Sequence, residues 1–216
     1  MNWEKIQTVF LDMDGTLLDL SFDSRFWYEF VPYEYAKKHN IELKFVIEKL
    51  SEKYKSMVGT LDWYCTDYWS DYLKINLKEI NYKYKSNIKI FPKTKLFLES
   101  LRKENKNIIL LTNAHRDTIN IKLNETKLWE FFDYVISSHD YKTPKESDEF
   151  WKKLELENIF LKENSILIDD NINVLKYAKT YGIKYLIEIT HPDSTKEERA
   201  SSEFTNVSNI SELTIN

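Results

Sequence analysis

Thr8-Val9-Phe10-Leu11-Asp12-Met13-Asp14-Gly15-Thr16 is the stretch that decides the fold. A short, continuous apolar run ends in two carboxylates and a glycine. Such a run reads as a strand buried on both faces, the habit of a parallel sheet covered by helices. The same grammar returns along the chain. Ile108-Ile109-Leu110-Leu111 runs into Thr112-Asn113, Tyr134-Val135-Ile136 into Ser137-Ser138, and Ile166-Leu167-Ile168 into Asp169-Asp170. Tyr185 to Ile189 is a fifth candidate. Helical spacings lie between these runs: Phe97 and Leu101 within Lys93–Glu104, Ile119 and Leu123, Phe150 and Leu154, and then Ile172, Leu175 and Ala178. Gly182 follows the last of them as a helix stop. Strand and helix alternate, which predicts βαβ units with right-handed crossovers and an α/β fold with a Rossmann-like parallel sheet.

The segment from Leu18 to Ile90 breaks that rhythm. It is rich in Tyr, Trp and Lys, and Tyr33–Lys38, Phe45–Tyr54 and Trp63–Leu73 have helical patterns, with Pro32 and Gly59 as punctuation. A connection of roughly 70 residues is far longer than an ordinary loop. The expected organisation is therefore a core of residues 1–17 and 91–216, with residues 18–90 as an inserted helical module. The tail from Lys196 onward is polar and suggests no domain of its own.

Composition narrows the function. The 216 residues hold only 3 glycines, against roughly 15 at average usage. There is no G-x-G-x-x-G fingerprint and no P-loop. A net charge of -4 offers no general field for nucleic acid or acidic membranes. The Lys83, Lys85 and Lys89 group reads as a solvated linker face. Cys65 is the single cysteine, which fits a reducing, cytoplasmic setting. No His/Cys spacing suggests a metal site. No apolar stretch approaches the length of a membrane span.

Ligands of open α/β sheets gather at the carboxyl ends of the strands. Asp12, Asp14, Asp169 and Asp170 would therefore converge at one sheet edge. Clustered carboxylates repel one another, and a hard cation such as Mg²⁺ relieves the repulsion. The same cation lets a carboxylate approach an anionic phosphate ester. One Asp could then form an aspartyl-phosphate, and a second could protonate the leaving oxygen and activate water. Thr112 and a nearby amide could hold the phosphate, and Lys145 could neutralise it. Taken singly, each piece has an ordinary explanation. Asp-Gly-Thr is a common turn, Asp-Asp before a helix is a cap, and Lys145 could be a surface lysine. Their occurrence together, in order and at strand ends, favours a site.

These motifs resemble those of the haloacid dehalogenase-like hydrolases: Asp12-Met13-Asp14-Gly15-Thr16, Leu111-Thr112-Asn113, Lys145 and Ile168-Asp169-Asp170. The resemblance implies that Asp12 is the nucleophile, Asp14 the general acid/base, Thr112 the phosphate-binding residue and Lys145 the lysine of the third motif. Asp169 would be the main acidic ligand of Mg²⁺, with Asp170 supporting it and the Asp14 backbone carbonyl as a further ligand. It also implies that the inserted module is a helical cap. The second Asp of the first motif favours phosphoryl transfer over dehalogenation.

Substrate choice would then lie in the cap. Aromatic faces near a phosphate could stack on a base, at about 1–3 kcal/mol per base. Arg25, Trp63, Tyr68 and Asn113 are the candidate substrate contacts, though most aromatics here should be core. Trp63 and Trp69, six apart in one helix, would face different sides. His115 could contact substrate, cap its helix or face water. The cap phrases, with Leu111-Thr112-Asn113-Ala114-His115, Pro144-Lys145-Glu146 and His191-Pro192-Asp193-Ser194, resemble the bacterial GMP/IMP nucleotidases. That resemblance implies hydrolysis of purine 5′-mononucleotides, with a small phosphorylated metabolite as partner and neither nucleic acid nor membrane. His191 and Thr143 depart from the subgroup's pattern. Open alternatives are a sugar-phosphate or phosphoglycolate phosphatase, a phosphomutase, and a non-catalytic binding protein.

Overall fold

The computed structural model describes residues 2–215. The apolar runs are strands: β1 (Thr8–Leu11), β2 (Asn107–Thr112), β3 (Tyr134–Ser137), β4 (Ser165–Asp169) and β5 (Tyr185–Ile189). A sixth, β6 (Thr205–Val207), lies in the polar tail where no element was expected. It is three residues long and mostly exposed, so neither an apolar run nor an alternation marks it. The strands form one parallel sheet in the order β3-β2-β1-β4-β5-β6. Leu11 stands beside Leu110 on one side and Ile168 on the other, which brings the carboxyl ends of β1, β2 and β4 level.

Side-chain alternation divides each central strand between two apolar layers. Val9, Leu11, Ile108, Leu110, Ile166 and Ile168 face Phe97, Leu98 and Leu101 of α6 (Thr94–Lys103) and Ile119 and Leu123 of α7 (Arg116–Thr126). Phe10, Ile109, Leu111 and Leu167 face Phe150, Trp151 and Leu154 of α9 (Asp148–Glu155) and Val174, Leu175 and Ala178 of α10 (Ile172–Tyr181). Burial on both faces is why the strands read as unbroken apolar runs. Gly182 ends α10 at φ +107, a left-handed conformation that a side chain would strain. The short helix α8 (Ser138–Tyr141) follows β3. No helix among the described residues is long and apolar enough to cross a membrane.

Between β1 and α6 the chain forms a helical layer. Helix α1 (Ser21–Arg25) runs through a widened π turn, Phe26–Phe30, into α2 (Val31–His39). The π turn immediately precedes Pro32, whose missing N–H would leave an α-helical ladder broken there. Helices α3 (Leu43–Met57), α4 (Thr66–Leu73) and α5 (Leu77–Tyr84) follow. The sequence pattern missed α1, the π turn and α5. It also joined Trp63 to α4, whereas the chain breaks at Cys65 after a 3₁₀ turn, Leu61–Tyr64. The break changes the aromatic geometry. Trp63 and Trp69 lie edge to face, 6.1 Å apart, and Trp69 Nε1 donates to the Trp63 carbonyl. The layer has its own apolar cluster, including Phe22, Phe26, Leu50, Tyr54, Trp69, Leu77 and Ile80. Lys83 and Lys89 are exposed and Lys85 is half-buried, as expected of a solvated face, and Lys83 and Lys85 form surface ion pairs with Glu34 and Glu125.

Candidate active site

The floor of the site is made where β1, β2 and β4 end. Asp12 continues β1, and its N–H donates to the Ile168 carbonyl at 3.0 Å. Asp169 closes β4, and its Oδ1 accepts from the N–H of Asn171, the N-cap of α10, at 2.8 Å. Lys145, in the loop between α8 and α9, is 2 % exposed. Its ammonium donates to Asp12 Oδ1 at 2.6 Å, Asp169 Oδ2 at 2.7 Å and the Leu111 carbonyl at 3.0 Å. All three protons of the ammonium thus have acceptors. The Lys145 backbone is fixed as well: its N–H donates to Asn113 Oδ1, and its carbonyl accepts from Trp151 Nε1. Burial favours the neutral amine, but Asp12 and Asp169 outweigh it and hold the Lys145 pKa above its ordinary value.

Thr112 ends β2 on the same edge, and its Oγ1 accepts from the Ala114 N–H at 3.1 Å. Gly15 turns the chain after Asp14 at φ +87, where a Cβ would lie 2.8 Å from Asp170 Cγ and 2.9 Å from Pro192 Cβ. Only glycine lets the first motif approach Asp170 this closely.

Carboxylate oxygens of Asp12, Asp169 and Asp170 lie within 4.8 Å of one another. Burial, and then their mutual repulsion, raises the pKa of Asp12 well above the usual range and pushes Asp170 up to about 7. Asp169 is also raised, chiefly by burial. An all-carboxylate donor set under this strain fits a hard oxygen-loving cation such as Mg²⁺. The Asp14 side chain does not join that cluster. Its Oδ1 accepts from Lys122 Nζ at 2.7 Å.

Lys122, Asp23, Glu146, Asn171 and Arg199 are the site groups that sequence reasoning did not pick out. Lys122, on α7, is 1 % exposed and binds both oxygens of Asp23 on α1, at 2.6 and 2.7 Å. Its spacing from Ile119 and Thr126 put it on the inward stripe of α7, and that was the available signal. Burial, then the neighbouring Asp14, pushes Asp23 up to about 7. Glu146 gathers Asn113 Nδ2, Asn171 Nδ2 and the Tyr64 hydroxyl, at 2.8, 2.9 and 3.1 Å. Tyr64 thereby ties the helical layer to the floor. Arg199 donates to the Asp170 carbonyl at 3.0 Å.

A cavity of about 410 Å³ rises from this floor, walled by Asp23, Phe26, Trp27, Trp63, Tyr64 and Asn81 of the helical layer. Thr112, Asn113 and Trp63 line it, as does His115. Arg25 and Tyr68 do not: Arg25 pairs with Glu29 and Asn87, and the Tyr68 hydroxyl meets Met57. The structure does not bring these two expected substrate contacts to the cavity wall. His115 caps α7 and also meets the Thr66 hydroxyl at 2.8 Å. The His191-Pro192-Asp193-Ser194 phrase is a clasp. Asp193 accepts from Ser24 at 2.7 Å, Pro192 accepts from the Leu20 N–H at 2.8 Å, and Ser194 binds Asp19. The spacing argument against a His/Cys cluster also fails in three dimensions, because Cys65, His115 and His139 meet within 4.8 Å.

Comparison with known proteins places this geometry. The sequence pattern of the family described as haloacid dehalogenase-like hydrolase matches residues 9–187. The chain is 36% identical over 197 residues to the GMP/IMP nucleotidase YrfG of Escherichia coli K12, covering 91% of this chain and 89% of that one. Its fold is similar to the crystal structure of an HAD phosphatase from Thermococcus onnurineus, with a TM-score of 0.80, 18% identity, and coverage of 96% and 95% of the two chains. It is also similar to the HAD-hydrolase YfnB of Bacillus subtilis, with a TM-score of 0.67, 14% identity, and 96% of each chain covered. The parallel sheet, the acidic strand ends and the family match agree: the chain belongs to the haloacid dehalogenase-like hydrolases.

Proposed function

We propose that this chain is a Mg²⁺-dependent phosphate monoester hydrolase working in the cytoplasm, with purine 5′-mononucleotides, GMP and IMP first, as its substrates. The observation that carries the reaction is the buried contact of Asp12 with Lys145 at 2.6 Å, beside Asp169 and Asp170 on the floor of a cavity. A carboxylate held at fixed position by an ammonium is arranged for in-line attack. The 36% identity to a protein named GMP/IMP nucleotidase supports the substrate class. So does a cavity of about 410 Å³ with Trp27 and Trp63 on its walls, which suits a purine mononucleotide. Residues 18–90 would serve as its cap.

Asp12, Asp169 and Asp170 would hold the Mg²⁺, which when bound screens the charge between carboxylate and phosphate. In the first step a carboxylate oxygen of Asp12 attacks phosphorus, and the bond from phosphorus to the ribose 5′-oxygen breaks. Asp14 gives its proton to that oxygen. In the second step Asp14 takes a proton from water, the water oxygen attacks phosphorus, and inorganic phosphate leaves as Asp12 is restored. Thr112 and Lys145 hold the phosphoryl oxygens. Lys122 and Asp23 position Asp14.

Base choice would fall partly to Asn81. It is 2 % exposed, lines the cavity, and its Oδ1 has no hydrogen-bond partner among the described residues. That acceptor suits the N1–H that guanine and hypoxanthine carry and adenine lacks. The decisive experiment is phosphate release from a panel of monoesters with Mg²⁺, on wild type and Asp12→Asn. Turnover of GMP and IMP well above sugar phosphates, abolished in the variant, is expected. Indifference to nucleotides with fast turnover of other esters overturns the substrate reading.

A further inference from the structure

Donors of a different kind meet at the cavity edge from three distant parts of the chain. Cys65 precedes α4 in the helical layer, His115 follows β2, and His139 sits on α8. One donor atom of each lies within 4.8 Å of the others. Cys65 is a free thiol and the N-cap of α4, where its Sγ accepts from the Tyr68 N–H at 3.4 Å. His139 Nε2 is buried without a hydrogen-bond partner among the described residues. His115 Nδ1 lies 2.8 Å from Thr66 Oγ1, and its Nε2 is 3.5 Å from Asp67 Oδ2. Nδ1 also accepts from the Asp117 N–H at 3.4 Å, so an ion bound at His115 would take the place of one of these partners. Asp67 then stands beside it as an oxygen donor.

We propose that Cys65, His115 and His139 form a site for a thiophilic divalent cation, Zn²⁺ foremost, that ties the helical layer to the sheet core at the cavity mouth. One thiolate with two imidazoles suits Zn²⁺, whereas the carboxylate floor suits Mg²⁺. The donors therefore sort two ions between two places in one cavity. Cys65 belongs to the inserted segment and both histidines to the core, so an ion bound by all three restrains their separation. Thr66 and His115 also line the cavity, so the loaded site narrows the way in. Zn²⁺ here acts as a brake on turnover. The binding claim does not depend on the reaction proposed above.

The test is a titration of the full chain with Co²⁺, and with Zn²⁺ by calorimetry, in excess Mg²⁺ so that the carboxylate floor is occupied. Wild type is expected to bind one equivalent of Co²⁺ with a thiolate-to-cobalt charge-transfer band. Cys65→Ser should lose the band, and Cys65→Ser and His139→Gln should each weaken Zn²⁺ binding at least tenfold while keeping the wild-type circular dichroism. A wild type without stoichiometric binding, or binding that both variants leave intact, overturns the proposal. Phosphatase assays add a second readout. Zn²⁺ should lower wild-type turnover in excess Mg²⁺, and Cys65→Ser should need at least tenfold more Zn²⁺ for the same loss. Equal Zn²⁺ sensitivity of the two proteins counts against the brake. A chain that binds Zn²⁺ at these residues yet hydrolyses no phosphate ester upholds the site and refutes the phosphatase reading.

Discussion

Two buried lysines flank the cavity, and each is clamped between two aspartates, yet they join different things. Lys145 bridges Asp12 and Asp169, both at strand ends of the same sheet. Lys122 bridges Asp14, in the turn after β1, and Asp23, on the first helix of the inserted layer. The first clamp joins two strand ends of one sheet, and the second joins the turn after β1 to the helical layer. The difference teaches that the proposed nucleophile and the proposed acid/base are held by different rules. Asp12 is held within the sheet edge, whereas the carboxyl of Asp14 is tied through Lys122 to Asp23 of the helical layer.

The largest effects belong to the fixed clamp. Asp12→Asn should lower phosphate release by on the order of 10³-fold or more, read as single-turnover rates. Lys145→Met should lower activity to a similar depth and also destabilise the fold. Removing one member of a buried ion pair costs roughly 3–5 kcal/mol, checked by urea denaturation.

The bridging clamp should answer to the leaving group. Lys122→Met should lower kcat/KM for a nucleoside monophosphate by about 10²-fold, because its alkoxide leaving oxygen needs a proton. For p-nitrophenyl phosphate, whose leaving oxygen needs none, the fall should be far smaller. Lys122→Arg should restore part of the loss. An equal fall on both esters would show that Lys122 only supports the fold.

Acidity marks one carboxyl at each place, Asp23 in the bridging clamp and Asp170 beside the fixed one. Asp23 and Asp170 each rise from 3.8 to about 7 on folding, both chiefly through burial. The folded state then binds more protons than the unfolded one between those values. Their contribution to stability is full below about pH 4 and is lost as the pH rises through about 7. Melting temperatures in EDTA should show this fall. Saturating Mg²⁺ should remove the part due to Asp170 and leave that of Asp23, which Asp23→Asn then abolishes. The smallest effect is Arg25→Ala: an exposed pair with Glu29 is worth about 0.5 kcal/mol or less, and nucleotide kinetics should be unchanged.

The strands were legible because burial on both faces leaves a mark that needs no partner to be read. Asp12, Thr112 and Asp169 were legible at the sheet edge because each ends or follows such a run, whereas Lys145 was singled out by its place between the third and fourth strands and by its motif. Lys122 was not, although Ile119, Leu123 and Thr126 share its helix face, because a lysine is read as solvated until its partners are known. Asp23 lies only a few residues beyond the first motif but in the segment read as a separate module, and Arg199 lies in the polar tail, so only the fold brings them to the cavity. The aromatics of the helical layer show the same limit. Trp63 and Tyr68 look alike on paper, and a chain break at Cys65 turns one into the cavity and the other out of it.

Leu18 pairs antiparallel with Ile90, the Asp19 N–H donates to the Lys89 carbonyl at 2.9 Å, and the Phe91 N–H donates to the Leu17 carbonyl at 3.1 Å. The chain therefore leaves the sheet and returns to it side by side. Strands β1 and β2 are neighbours although Thr8 and Asn107 are 99 residues apart. An unstructured loop of that length would oppose their pairing by a closure entropy that grows with the logarithm of its length, about 0.6 kcal/mol per doubling. A segment that folds on its own cluster and brings its ends together presents the sheet with little more than a hairpin turn. What lies beyond that turn is free to lengthen, shorten or be exchanged without disturbing strand pairing. The fold can thus be retuned to a new ligand at one place while its acidic floor stays as it is.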